Sequence, residues 1–206
     1  MRFARDGFFT IAASVLLTAF AALFSLALGA AMGAFTLFVL WFFRDPDRST
    51  PDRENAFFSP ADGRVVEILE VEHPFTGPAV RVGIFMNVFS VHVNRAPCAG
   101  RVAFLDYVPG KKVAAFAAKA SEVNERNFVG LSTARGPVMM VQIAGLLARR
   151  IVCRLKLGDA LEAGQRYGMI RLGSRVDIYL PREVRLTVKI GDKVYAGVSR
   201  IGEVER

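Results

Sequence analysis

The stretch Ile170-Arg171-Leu172-Gly173-Ser174-Arg175-Val176-Asp177-Ile178-Tyr179-Leu180-Pro181 alternates apolar and polar residues around a Gly-Ser step. Ile170, Leu172, Val176, Ile178 and Leu180 take the even positions, while Arg171, Arg175, Asp177 and Tyr179 take odd ones, which is the period of a half-buried strand. Ser174 falls on the apolar face, where an unpaired hydroxyl costs about 1 to 3 kcal/mol. It needs a partner or a chemical task. Gly173 has no Cβ, so the bond joining it to Ser174 can be distorted or approached from the side. An ordinary bulge is the plain alternative.

Outward from this stretch the chain reads as β. Asp62-Gly63 is a turn signal before an alternating strand at 64–71, and further strands are expected at 80–97, 101–108, 137–144 and 151–157. The segments Gly158-Asp159-Ala160-Leu161-Glu162-Ala163-Gly164 and Gly191-Asp192-Lys193-Val194-Tyr195-Ala196-Gly197 share the pattern G-D-x-x-x-A-G. That is the turn signature of barrel-sandwich carriers, so the expected fold is mainly β, a barrel-sandwich-like domain of interlocked hairpins built on a repeated motif.

An N-terminal apolar helical hairpin precedes it. From Phe8 to Phe43 there is no charged residue. About 20 apolar residues cross a bilayer once, so this run is too long for one crossing and barely enough for two. Gly29 and Gly33 near its midpoint suggest the turn of a hairpin, either two short, tilted crossings or a re-entrant pair that dips into one leaflet. Arg2 and Arg5 before the run and Arg44 and Arg48 after it put both ends on the cytoplasmic face of the cell membrane. A cleaved signal peptide fits less well, because the apolar run continues far beyond any h-region. Residues 1–48 are read as the anchor and 49–206 as the catalytic β domain.

The net charge of +8 is uneven: 1–50 hold four Arg against three acidic residues, and 51–206 hold 23 Lys and Arg against 16 Asp and Glu. A basic domain on a membrane is drawn to anionic headgroups. The basic residues are scattered, without an Arg-rich helix or a stacking platform, so no nucleic-acid partner is expected. Cys98 and Cys153 are too few for a disulfide framework and are expected to be reduced, and no metal-ligand spacing appears.

His92 sits among apolar residues in Val91-His92-Val93-Asn94-Arg95-Ala96-Pro97, at a strand end where an imidazole can exchange protons. His73 is read as a loop residue. Lys111, Lys112, Lys119 and Arg126 are candidate cations for phosphate or carboxylate, with a solvated charged face as the plain alternative. A carrier-domain reading needs a lysine at an exposed hairpin tip, and Lys193 lies inside its turn instead. A serine-hydrolase elbow needs glycines flanking x-S-x, and Leu-Gly-Ser-Arg-Val lacks them.

Leu172-Gly173-Ser174 resembles the cleavage site of the phosphatidylserine decarboxylases, in their short bacterial and archaeal form. Four further segments recur in the same order: Phe43-Arg44-Asp45-Pro46, Phe58-Ser59-Pro60-Ala61-Asp62-Gly63-Arg64-Val65, residues 80–97, and Ala120-Ser121-Glu122-Val123-Asn124-Glu125-Arg126-Asn127. The resemblance implies that Ser174 attacks the carbonyl of Gly173 and that β-elimination leaves a large chain 1–173 and a small chain 174–206 starting with a pyruvoyl group made from Ser174. It implies a phospholipid substrate whose amine forms a Schiff base with that group before CO2 leaves. His92 as base with Asp62 as its orienting carboxylate are the implied catalytic partners of Ser174, and Arg95, Lys119 and Arg126 the implied substrate-binding cations. Larger members carry H-x-x-H where this chain has His92 and Arg95. If the cleavage base belongs to the second place, His92 is instead the proton donor in decarboxylation. A homodimer is one assembly left open. The rival to an enzyme is a membrane-tethered β domain that binds lipid or a protein partner.

Overall fold

The computed structural model describes residues 2–52, 54–110, 123–145, 150–171 and 174–204, in two compact units, Met1–Asp47 and Arg48–Arg206. In the first unit β1 (Arg2–Phe3) pairs with β2 (Arg44–Asp45), and between them run α1 (Phe8–Phe24) and α2 (Leu26–Phe42). The chain reverses at Ser25, one extended residue at φ −161°, so Gly29 and Gly33 lie inside α2 and not at the turn the sequence suggested. Gly29 serves close packing: a Cβ there would come within 2.8 Å of the Ala22 Cβ on α1. Thr18 and Thr36 share a hydrogen bond of 2.9 Å between the helices. Phe9, Leu16, Phe20, Leu23, Leu26 and Leu37 are exposed. The helical segment Arg5–Phe24 is long and apolar enough to cross a membrane, and Leu26–Phe42 is shorter.

The second unit is built from β3 (Ala56–Phe58), β4 (Gly63–His73), β5 (Gly77–Met86), β6 (Val93–Arg95), β7 (Gly100–Val108), β8 (Arg126–Ser132), β9 (Val138–Ala144), β10 (Ile151–Cys153), β11 (Ala160–Leu161), β12 (Arg166–Ile170), β13 (Ser174–Pro181), β14 (Arg185–Leu186), β15 (Lys193–Val194) and β16 (Arg200–Glu203). A curled eight-stranded sheet has the order β11-β7-β8-β9-β13-β5-β4-β15, and two three-stranded sheets, β10-β12-β6 and β14-β16-β3, complete the unit. This is the mainly β architecture, preceded by two helices, that the sequence led us to expect.

Two expected strands are shorter. The run 80–97 is broken into β5 and β6, because the Asn87 side-chain oxygen accepts hydrogen bonds from the Phe89 N–H at 2.9 Å and the Ser90 hydroxyl at 3.3 Å. Short polar side chains of this kind divert the backbone from a ladder into a turn. The strand expected at 151–157 ends at Cys153. The Ala- and Phe-rich stretch to Lys119, and the segment after it as far as residue 122, lie outside the described residues.

The G-D-x-x-x-A-G pattern marks a larger repeat. In one copy the Gly191 N–H donates to the Val65 carbonyl and the Val65 N–H to the Asp192 carbonyl; in the other the Gly158 N–H donates to Val102 and the Val102 N–H to Asp159. Arg64 donates to the Gly191 carbonyl and Arg101 to that of Gly158, both at 2.6 Å. Gly158 and Gly191 adopt φ of +89° and +97°, backbone that L side chains avoid. The strands these turns grip also match: Pro60-Ala61-Asp62-Gly63-Arg64-Val65 against Pro97-Cys98-Ala99-Gly100-Arg101-Val102. Asp62 departs from the repeat, standing where the other copy has Ala99.

Strand β13 pairs with β5 on one edge and β9 on the other. Its even face carries Val176, Ile178 and Leu180 into the main core. Its odd face is buried as well, unlike the half-buried strand the alternation implied: Arg175 is 2% and Asp177 0% exposed. They form an ion cluster, with Arg175 donating to Asp177 and to Glu67, each at 2.5 Å, and Arg81 donating to Glu67 at 2.8 Å. Burial pushes the Glu67 carboxyl up, but the Arg175 and Arg81 guanidiniums outweigh it and hold the pKa below the ordinary 4.5. His73 ends β4 with its ring 4.8 Å from that of Tyr179, not in a loop without company. Burial lowers its pKa.

A depressed carboxyl pKa adds stability that is present above its ordinary value and fades as pH falls through the folded-state value. Glu67→Gln should therefore lower unfolding stability by about 1 to 3 kcal/mol at pH 7, and the difference from wild type should shrink below pH 4.5, as read by urea unfolding across pH.

Candidate active site

Ser174 opens β13 and is fully buried. In the ladder it faces Met86 of β5 and Ala144 of β9, and its hydroxyl lies 3.5 Å from the Met86 sulfur. A thioether is a weak acceptor. Among the described residues no stronger partner for this hydroxyl appears.

His92 reaches the same region through the small sheet. Its carbonyl accepts the Ile170 N–H at 3.3 Å, and Ile170 is the last residue of β12 before the segment that leads to Ser174. The ring is buried, with Nδ1 2.9 Å from the Ser90 carbonyl. That contact fixes the ring orientation.

The Asp62 carboxylate accepts two hydrogen bonds from Arg48, at 2.5 and 2.8 Å, and one from the Ala196 N–H at 2.8 Å. Among the described residues these hydrogen bonds go to Arg48 and Ala196 and not to His92, the partner the sequence suggested. Arg48 also donates to the Ala196 carbonyl at 2.9 Å. Asp62 thus clamps Arg48 onto the second G-D-x-x-x-A-G turn.

Arg95 stands at the far end of β6 from His92, paired with Arg166, and donates to the Gly164 carbonyl at 3.1 Å. With Arg48, Thr50, Glu162 and Arg166 it lines an open cleft of about 560 Å³. Arg126 opposes Ile143, which opposes Arg175. Directly paired residues share a face, so Arg126 and Ser174 project from opposite faces of the sheet. Lys119 and Gly173 lie outside the described residues.

Sequence reasoning missed the buried amides around Ser174. Asn127 donates to Gln142 at 2.9 Å, Gln142 donates to Asn94 at 2.8 Å, and Asn94 approaches the Met86 sulfur at 3.9 Å. Asn124 donates to the carbonyl of Ala144 at 2.7 Å, beside Ser174 in the ladder. Asn94, Gln142 and Asn124 are fully buried and Asn127 nearly so. A signal existed: Gln142 interrupts the apolar run Val138-Met139-Met140-Val141-Gln142-Ile143-Ala144, and Asn94 follows His92 by two. Both cysteines are free thiols: burial pushes that of Cys98 up to about 12, and burial raises that of Cys153 against hydrogen bonds with Leu155 and Asn127.

A family model described as phosphatidylserine decarboxylase matches residues 35–202. The chain belongs to the phosphatidylserine decarboxylase family. Proteins named phosphatidylserine decarboxylase proenzyme are 45% identical over 204 residues in Carboxydothermus hydrogenoformans, covering 98% of this chain and 96% of that one, and 47% identical over 204 residues in Symbiobacterium thermophilum, covering 98% and 95%. The Ralstonia nicotianae relative is 52% identical over 172 residues, covering 82% and 80%.

The Arg48–Asp62 pair is mostly buried and bidentate, which favours strong coupling. A double-mutant cycle with Arg48→Met and Asp62→Asn should give a coupling of about 1 to 3 kcal/mol in urea unfolding; simple additivity would contradict this geometry.

Proposed function

We propose that this chain cleaves itself between Gly173 and Ser174 and then decarboxylates phosphatidylserine to phosphatidylethanolamine at a membrane. The observation that carries the reading is Ser174 itself, a fully buried serine on a central strand, next to a thioether and immediately after the Gly173 step. Family membership supports the substrate and the reaction.

Self-cleavage converts the Ser174 side chain to a methyl and its amine to a ketone, leaving a pyruvoyl end. The surroundings suit that change: Met86 and the apolar residues of β5 and β9 pack a methyl better than a hydroxyl. The pyruvoyl group, once made, supplies the carbonyl that accepts electrons as CO2 leaves. His92, beside the segment that enters Ser174, supplies and removes protons there. Arg95, in its open cleft, offers charge to the anionic lipid region. Asp62 acts through Arg48 and the turn at Ala196.

The two chains would stay together without a covalent link. Strand β13 is hydrogen-bonded on both edges to strands of the larger chain, and β16 pairs with β3. Residues 1–48 serve as the anchor and 49–206 as the catalytic domain in this reading. The exposed apolar faces of α1 and α2 suit lipid contact, and the flanking arginines favour the cytoplasmic face.

A denaturing gel of the purified chain should show two bands, with mass spectrometry placing a carbonyl end on the 174–206 fragment. Both fragments should co-elute under native conditions. Ser174→Ala should give one band near 22.6 kDa and no CO2 release. A wild-type chain that is active on lipid yet intact would overturn the reading, and an intact chain that binds lipid without turnover would favour the tethered binding domain.

A further inference from the structure

The three amides near Ser174 form a relay with a fixed direction. A carboxamide has one donating and one accepting end. Because Asn127 donates to the Gln142 oxygen, the Gln142 NH2 must face Asn94. Because Gln142 donates to the Asn94 oxygen, the Asn94 NH2 must face away, toward Met86. Each orientation is set by the next residue outward. Gly168 makes the approach feasible, since a Cβ there would lie 2.9 Å from the Gln142 Nε2 and 2.3 Å from the Val152 carbonyl oxygen.

The relay ends on a poor acceptor. Among the described residues the Asn94 NH2 finds only the Met86 sulfur at 3.9 Å, the same atom that lies 3.5 Å from the Ser174 hydroxyl. Both groups are fully buried. A strong donor held rigidly against a soft thioether, beside a hydroxyl with the same partner, is placed for an oxygen that gains charge.

Self-cleavage, on which this inference rests, produces such an oxygen at this spot. The Ser174 Oγ adds to the carbonyl carbon of residue 173, the C–N bond breaks, and the hydroxyl proton passes to the released amine, leaving an ester. Loss of the Cα proton of residue 174 then breaks the Cβ–Oγ bond. The electron pair stays on Oγ, which leaves as a carboxylate oxygen of residue 173. The enamine left at residue 174 takes up water and releases ammonia, giving the ketone. We propose that Asn94 donates the hydrogen bond that stabilises Oγ as it departs with this charge, and that Gln142 and Asn127 are positioning residues that keep the Asn94 donor facing it.

The proposal separates the two halves of self-cleavage. Freshly synthesised full-length Asn94→Leu should form its carbonyl-ended small chain about 100-fold more slowly than wild type and should accumulate the ester. Hydroxylamine reveals the ester by splitting it into a hydroxamate at residue 173 and a small chain beginning with unmodified Ser174, both read by mass spectrometry. Gln142→Met should show the same accumulation with a smaller slowing. Processing at the wild-type rate, or a stall in a form inert to hydroxylamine, would overturn the proposal. Should Asn94→Leu not fold, Gln142→Met decides by the same two readouts. A wild-type chain that never splits would instead remove the self-cleavage reading beneath it.

Discussion

The double pairing of β13 is the constraint on which the rest depends. A strand hydrogen-bonded along both edges has no freedom to slide or tilt, because any slip moves its side chains to the wrong face. Ser174 begins that strand, flanked in register by Met86 and Ala144. Its hydroxyl is therefore held in one place by backbone bonds that belong to its neighbours. The same pairing explains how the segment 174–206 can remain in the fold if the bond before it is cut: its hydrogen bonds and buried side chains do not run through that bond.

The two faces of the strand solve opposite electrostatic problems. On the odd face Arg175, Asp177, Glu67 and Arg81 compensate one another, since a buried charge without a partner is strongly destabilising. On the even face the polar groups near Ser174 are neutral amides, whose dipoles orient without adding net charge. Oriented neutral dipoles on one face and a balanced ion cluster on the other let a hydroxyl sit in the middle of a packed sheet. The ion cluster also braces β13 against β4 and β5 from the side away from Ser174.

The surrounding scaffold is a near-duplicated frame. Two G-D-x-x-x-A-G turns grip two P-x-x-G-R-V strands through matching backbone bonds and matching arginines. Asp62 breaks the duplication, its place being taken by Ala99 in the other copy. Its carboxylate draws Arg48 to the turn at Ala196. An ion pair at that place ties the first residue of the β unit to the frame.

The amino-acid sequence by itself determined the β class, the repeated turns, the apolar helical run and the singular character of Ser174, because these follow from local periodicity, from backbone conformations reserved for glycine and from chain composition. It also carried the family resemblance, through short motifs that recur in the same order along the chain. Only the tertiary structure decided that both faces of β13 are buried, since alternation reports the character of a face and not what covers it. It alone set the turn of the hairpin at Ser25, where helix packing at Gly29 outweighed glycine's preference for turns. It gave the Asp62 carboxylate to Arg48 and Ala196, set Arg126 and Ser174 on opposite faces, and joined Asn94 to the paired Gln142 and Asn127 in one relay, because such contacts depend on strand order and register, which no local pattern contains.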